Sequence, residues 1–155
     1  MAGFGGALKN IAIGIASTHG KTNIHTAGKT TNPKLMWIKI AKQDSFLESM
    51  ADACKAVIGS VGSENMLYIS VANRLSVDCD CDGNPHEPEM ADLGIFASTD
   101  PVALDQACYD AVINSDDPGK TALIRRMENK HGIHTVEAAA ELGLGSRDYE
   151  LISID

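Results

Sequence analysis

The stretch Leu93-Gly94-Ile95-Phe96-Ala97-Ser98-Thr99-Asp100-Pro101-Val102-Ala103-Leu104 decides how this chain folds. Residues 93–97 form a short apolar run with a β-branched and an aromatic residue, which reads as a strand. Asp100 can cap a helix. Pro101 then falls at the first helical position, where a missing N–H costs nothing. Val102, Ala103, Gln106, Ala107, Asp110 and Ala111 continue at helical spacing, with Leu104, Cys108 and Val112 apolar as well. A strand leading into a capped helix is the building unit of an α/β fold.

The segments on either side extend the pattern. Residues 66–72 read as a strand from their β-branched and aromatic content. Before them, Asp44 or Ser45 can cap a helix carrying Phe46, Leu47, Met50, Ala53, Cys54, Val57 and Ile58, with Gly59 as its stop. Further on, Asp117-Pro118 repeats the helix-start signal for a segment running through Lys130 and stopped by Gly132. Residues 135–142 predict an Ala-rich helix closed by Gly143, and residues 149–154 a final strand. At the start, a glycine loop (residues 3–6) runs into an apolar segment, 11–16, for which helix is favoured. Residues 17–34 lack periodicity and read as a long loop, which inside a compact domain is usually functional or disordered. The expectation is a single α/β domain over residues 1–155, with a small mixed or mostly parallel sheet of roughly three to five strands flanked by helices. Three convincing strands are few for a self-sufficient sheet, so a partner protein, a second copy or missing sequence is expected to supply the rest.

Composition narrows the function classes. The chain of 155 residues has a formal net charge of −8, which argues against nucleic-acid binding. No apolar run approaches the roughly 18–20 residues of a membrane span, and no secretory signal is evident. A cytoplasmic, reducing compartment with free thiols is the expectation. Cys54 and Cys108 lie in helical patterns and read as buried thiols. His131, at a helix C-terminus, reads as structural.

The densest chemistry is the run Asp78-Cys79-Asp80-Cys81-Asp82-Gly83. Asp78, Asp80, Asp82, Gly83 and Glu89 match a calcium-loop spacing. Pro85 and the strand-like flanks argue against an EF-hand, so calcium is the weaker choice. Extended backbone would instead put Cys79 and Cys81 on one side and the aspartates on the other. Such a pair suits a soft transition metal, zinc or iron, with Asp78, Asp80, Asp82, His19 or His25 completing the ligand set and His86 also in reach. Asp92, Asp100 and Asp105 are lesser candidates. A second possibility is an anion site: Gly5 and Gly6 before a helix offer backbone N–H groups, with Lys9 or Lys21 nearby. The segment from Gly14 to Lys21-Thr22 mimics a P-loop but has five residues between its glycines where four are needed.

Taken together, Gly3-Phe4-Gly5-Gly6-Ala7-Leu8-Lys9-Asn10, Cys79-Asp80-Cys81, Asp92-Leu93-Gly94-Ile95-Phe96-Ala97-Ser98, Asp100-Pro101-Val102-Ala103-Leu104-Asp105-Gln106-Ala107 and Glu141-Leu142-Gly143-Leu144-Gly145-Ser146 resemble the domain of unknown function family 362. Its members are often labelled iron–sulfur centre proteins, and many carry a ferredoxin-like insert between the glycine segment and the Cys-Asp-Cys element. The resemblance implies an α/β fold and a metal- or iron–sulfur-associated role. This chain looks like the C-terminal half of the family pattern without the insert. It has no C-x2-C-x2-C run, so a ferredoxin-type cluster is not expected. Three functions follow as expectations: binding of a metal or redox-linked cofactor through Cys79-Asp80-Cys81, a non-catalytic interaction module completed by a partner or second copy, or an enzyme holding an anionic ligand on the Gly3–Gly6 loop.

Overall fold

The computed structural model describes residues 2–79 and 82–154. The chain forms a mixed α/β structure. In order it contains α1 (Ala7–Lys9), which continues as a π-helical turn (Asn10–Gly14), α2 (Thr18–His25), α3 (Gln43–Val61), β1 (Tyr68–Ala72), β2 (Gly94–Ser98), α4 (Pro101–Asn114), α5 (Lys120–Asn129) and α6 (His134–Glu141). Short 3-10 turns lie at Pro33–Leu35 and Ser63–Asn65.

The strands pair antiparallel, with Tyr68 opposite Ser98, Ser70 opposite Phe96 and Ala72 opposite Gly94. Among the described residues the sheet therefore has two strands, where the sequence predicts three to five and a mixed or mostly parallel order. The reason lies in the connection. Parallel neighbours need a crossover, usually a helix, and the described residues between 73 and 93 contain no helix. Residues 149–154, predicted as a strand, make no ladder. Leu151, Ile152 and Ile154 are exposed, and an apolar alternation becomes a strand only beside an open edge.

The core is built on α3. Phe46, Leu47, Met50, Ala51, Cys54 and Ile58 are buried along one face, packed against Leu8, Ile11, Val102, Leu104, Val136 and Ala139. Truncating a fully buried side chain such as Leu47 to alanine costs about 2–5 kcal/mol. The helix begins at Gln43 rather than at a cap on Asp44 or Ser45, and it runs through Gly59. It stops at Gly62, where φ is 89° and a Cβ would press on the Glu64 side chain. A second, smaller cluster joins Met90, Val112, Leu123 and Met127, and Phe4 packs against both clusters.

Part of the predicted loop over 17–34 is helix α2. Ser17 caps it, its hydroxyl accepting from the Gly20 N–H. Thr22 and Thr26 donate their hydroxyls to carbonyls four residues back and are buried, as is Ile24. Satisfying threonine hydroxyls on the helix's own carbonyls lets a polar sequence pack against a core.

Helix α4 is the fastener of the fold. Its cap, Asp100, accepts from Val102 and Ala103 and also from the Ser146 N–H at 2.8 Å. One turn on, Asp105 is 1% exposed and accepts from the N–H groups of Ala7 (2.7 Å) and Leu8 (2.9 Å). A Cβ on Gly6 would lie 2.4 Å from the Asp105 carboxylate, so the loop approaches this closely only because it is glycine. Burial pushes the Asp105 carboxyl up to about 6, against the lowering effect of the two N–H donors. The folded state thus holds this proton more tightly than the unfolded chain, and its contribution to stability is full below the ordinary aspartate value and falls as pH rises toward 6. Asp105→Ala leaves two buried N–H groups unpaired and is expected to cost about 2–5 kcal/mol in urea unfolding. Asp105→Asn is expected to flatten the pH dependence of stability between about 4 and 6. An unchanged unfolding midpoint for the alanine variant would contradict this role.

Candidate functional site

The segment between the two strands carries Cys79 and lines a cavity of about 380 Å³. Opposite this loop stand the glycine segment Gly3–Gly5 with Lys9, the α4 residues Cys108 and Tyr109, and the α5 residues Leu123, Arg126 and Met127. The cavity has an apolar body made by Phe4, Val71, Leu75, Leu93, Tyr109 and Val112, and three cations around it, Lys9, Arg74 and Arg126. Gathering three cations at one cavity is notable in a chain of net charge −8. An apolar pocket with few converging polar groups is the usual form of a small-molecule site.

The Cys79 loop is held by Asp78. One carboxylate oxygen accepts from the His86 N–H (3.0 Å) and ring Nδ1 (2.5 Å), and the other from Arg126 on α5 (3.3 Å). Ser76 donates to the His86 carbonyl, and the Asp82 N–H donates to the Cys79 carbonyl at 2.8 Å. Lys9 Nζ donates to Cys79 Sγ at 3.7 Å, tying the glycine segment to the thiol. Hydrogen bonding to His86 and the charge of Arg126 hold the Asp78 carboxyl below its ordinary value. Arg74 has a positive φ of 46°, and its N–H donates to Asp92 at 2.7 Å, which fixes where the loop leaves β1.

Cys79, Asp78, Gly5 and Lys9, expected from the sequence, therefore meet at one cavity. Asp80 and Cys81 lie outside the described residues. Asp82 is exposed and accepts from the Asn84 N–H. Gly6 is packed on Asp105, and the N–H groups that follow it, those of Ala7 and Leu8, bond to that carboxylate. His19, His25 and Lys21 sit on α2 and do not line the cavity. His25 donates to the Lys21 carbonyl at 2.7 Å and stacks near Phe46. Asp92, Asp100 and Asp105 all work on backbone N–H groups. Arg74, Tyr109 and Arg126 were not foreseen, because they come from separate segments with no shared motif.

The thiols divide by environment. Cys54 is buried, donates to the Leu8 carbonyl at 3.0 Å, and burial pushes it up to about 12. Cys108 lies half-buried in the cavity wall, and burial followed by the nearby Asp105 charge pushes it up to about 11.

The model of the domain of unknown function family DUF362 matches residues 1–110, and the chain belongs to that family. The matched segment includes the glycine loop, the Cys79 loop and most of α4. Searches among curated proteins and among solved structures each returned no match. Among the described residues, no helix is long and apolar enough to cross a membrane.

The Asp78–His86 contact carries a pH dependence. His86 is held above its ordinary value by its hydrogen bond to Asp78, then by the charge of Asp78, with Asp82 and Glu89 adding. The loop closure from this pair is therefore full below the ordinary histidine value and is lost as pH rises through the raised value in the folded protein. Proton NMR titration should place His86 above an ordinary histidine, and Asp78→Asn should return it there. Identical titration in both proteins would refute the contact.

Proposed function

We propose that the Cys79 cavity is the ligand-binding site of this protein and that it takes a soft transition metal, zinc or iron, or a metal-containing cofactor. Cys79 and Cys81 supply the thiolates, and the chain works in a reducing, cytoplasmic compartment. The observation that carries this reading is Cys79 in the lining of a cavity that Arg74 and Arg126 also line, with Lys9 on its sulfur. Thiolate-bound metals and their cofactors carry negative charge, and surrounding cations offset it. Calcium is disfavoured because Asp78, the first carboxylate of the calcium-like spacing, is engaged by His86 and Arg126. A phosphate on the glycine loop is disfavoured by Asp105, which holds the helix-start amides. The ligand's apolar part would rest on Phe4, Leu75 and Tyr109, and Lys9 would hold the charge at the metal-binding sulfur. Protein purified without a histidine tag should carry zinc or iron, and the Cys79→Ser, Cys81→Ser variant should carry about one equivalent less than the wild type. Less than about 0.2 equivalents, unchanged in that variant, would overturn the proposal.

A second reading rests on a different surface. Ile69, Val71 and Ile95 share one face of the two-stranded sheet and are 60%, 56% and 71% exposed, continuous with exposed Leu67. The strand-like residues 149–154 make no ladder. We propose that a second copy of the chain covers this sheet, its residues 149–154 adding a strand to an open edge. Light scattering should give a dimer that Leu151→Asp plus Ile152→Asp reduces to monomer. A monomer at all concentrations would reject it.

A further inference from the structure

The turn after α5 and the first turn of α6 carry the spacing His131-x2-His134-x2-Glu137, outside the family-matched segment. One donor atom from each of these residues lies within 4.8 Å of the others. The two imidazole rings stack with centroids 4.8 Å apart. Each ring is held from α3. His131 Nδ1 donates to Asp44 at 2.8 Å, and His134 Nε2 donates to Glu48 at 3.2 Å. Asp44 and Glu48 stand one helical turn apart, so a single face of α3 orients both rings. These bonds leave His131 Nε2 and His134 Nδ1 as the remaining ring nitrogens, and His134 Nδ1 lies 3.5 Å from Glu137 Oε2. Arg147 occupies the other Glu137 oxygen, Oε1, at 3.2 Å.

This is the arrangement in which histidines bind metals: one ring nitrogen donates to a carboxylate, fixing the tautomer, and the other is free to coordinate. Donors around a tetrahedral ion with bonds near 2.0–2.1 Å sit about 3.4 Å apart. The His134–Glu137 pair at 3.5 Å already has that spacing, and His131 also places a donor atom within 4.8 Å of those of the other two residues. His131 also holds a left-handed backbone, φ 50°, where glycine is the usual residue at a helix end. Gly132 beside it is packed on Gly3 and Phe4, so the turn backs onto the cavity wall.

We propose that His131, His134 and Glu137 form a site for one borderline divalent ion, zinc being the natural occupant, with Asp44 and Glu48 as orienting residues and one position open to water. The site is separate from the Cys79 loop, and its donors are nitrogen and oxygen only.

The test uses tag-free, chelator-treated protein titrated with Co²⁺ by visible absorption and with Zn²⁺ by calorimetry. In the Cys79→Ser, Cys81→Ser background, one Co²⁺ per chain should still bind and show d–d bands without a thiolate charge-transfer band. Affinity should fall about tenfold or more in His131→Gln plus His134→Gln, and about tenfold in Asp44→Asn. Glu137→Gln gives an independent reading should the double variant fail to fold. The proposal is overturned if the cysteine-free protein binds no Co²⁺ tighter than about 1 mM. It is equally overturned if binding there is indifferent to Glu137→Gln and to the histidine changes. Charge-transfer absorption in wild type reports on the Cys79 loop alone, so the two sites succeed or fail separately.

Discussion

The carboxylate of Asp105 sits in the middle of the molecule with the amides of Ala7 and Leu8 bonded to it, and the placement of the cavity depends on that contact. A buried carboxyl in an apolar surrounding is expensive unless donors surround it. Here the donors come from the start of another helix, whose first N–H groups would otherwise lack partners. Each half of the contact relieves the other's desolvation cost. The consequence is geometric: Gly6 is drawn against α4, Gly3–Gly5 form one wall of the cavity, and Lys9 emerges where its amine reaches Cys79.

The same helix gathers the other end of the chain. Asp100 binds the Ser146 N–H, and a Cβ on Gly145 would lie 2.0 Å from that carboxylate. Gln106 accepts from Arg147, and Asp110 accepts from the Tyr149 hydroxyl. Helix α4 thus presents Asp105 to the early glycine segment and Asp100, Gln106 and Asp110 to residues 146–149. A two-stranded sheet is marginal by itself, and here it packs against this helix, Tyr68 and Phe96 facing the core. The cavity is stable because its walls are fastened to one rigid element rather than to one another.

What could be read from the sequence follows from how local each signal is. The strand, Asp-Pro cap and helix over residues 93–114 were legible because every cue lies within a few residues of its effect. Helix α3 was legible from its apolar period, but its end was misplaced: Gly59 is an ordinary helical residue and Gly62 is the one with positive φ. Helix α2 was hidden because its buried face is threonine, and hydropathy does not count a hydroxyl that bonds its own helix. At the cavity, the Asp78–Gly83 run pointed to Cys79, but Lys9, Arg74 and Arg126 come from three distant segments. Asp105 looked like a ligand candidate or a helix residue, and only the fold reveals its amide partners. The His131-x2-His134-x2-Glu137 spacing was present in the sequence, yet its meaning depends on Asp44 and Glu48, more than eighty residues earlier.

Charge separates the two candidate sites in chemical terms. At the Cys79 cavity, Lys9 reaches the thiol, Arg74 and Arg126 line the same cavity, and Asp78 is paired with Arg126 and His86. A bare hard dication would meet repulsion there and would have to displace those partners. A thiolate-bound soft metal is compatible, because the sulfurs bring the negative charge the cations offset. At the α5–α6 turn the balance is reversed: Asp44, Glu48 and Glu137 bracket two imidazoles, with Arg147 on the far oxygen of Glu137. That environment favours a cation held by nitrogen and oxygen. One acidic chain therefore offers a cation-rich pocket for a soft, anionic centre and a carboxylate-rich turn for a borderline dication, and the thiolate set of the one and the nitrogen–oxygen set of the other distinguish the two sites even for the same ion.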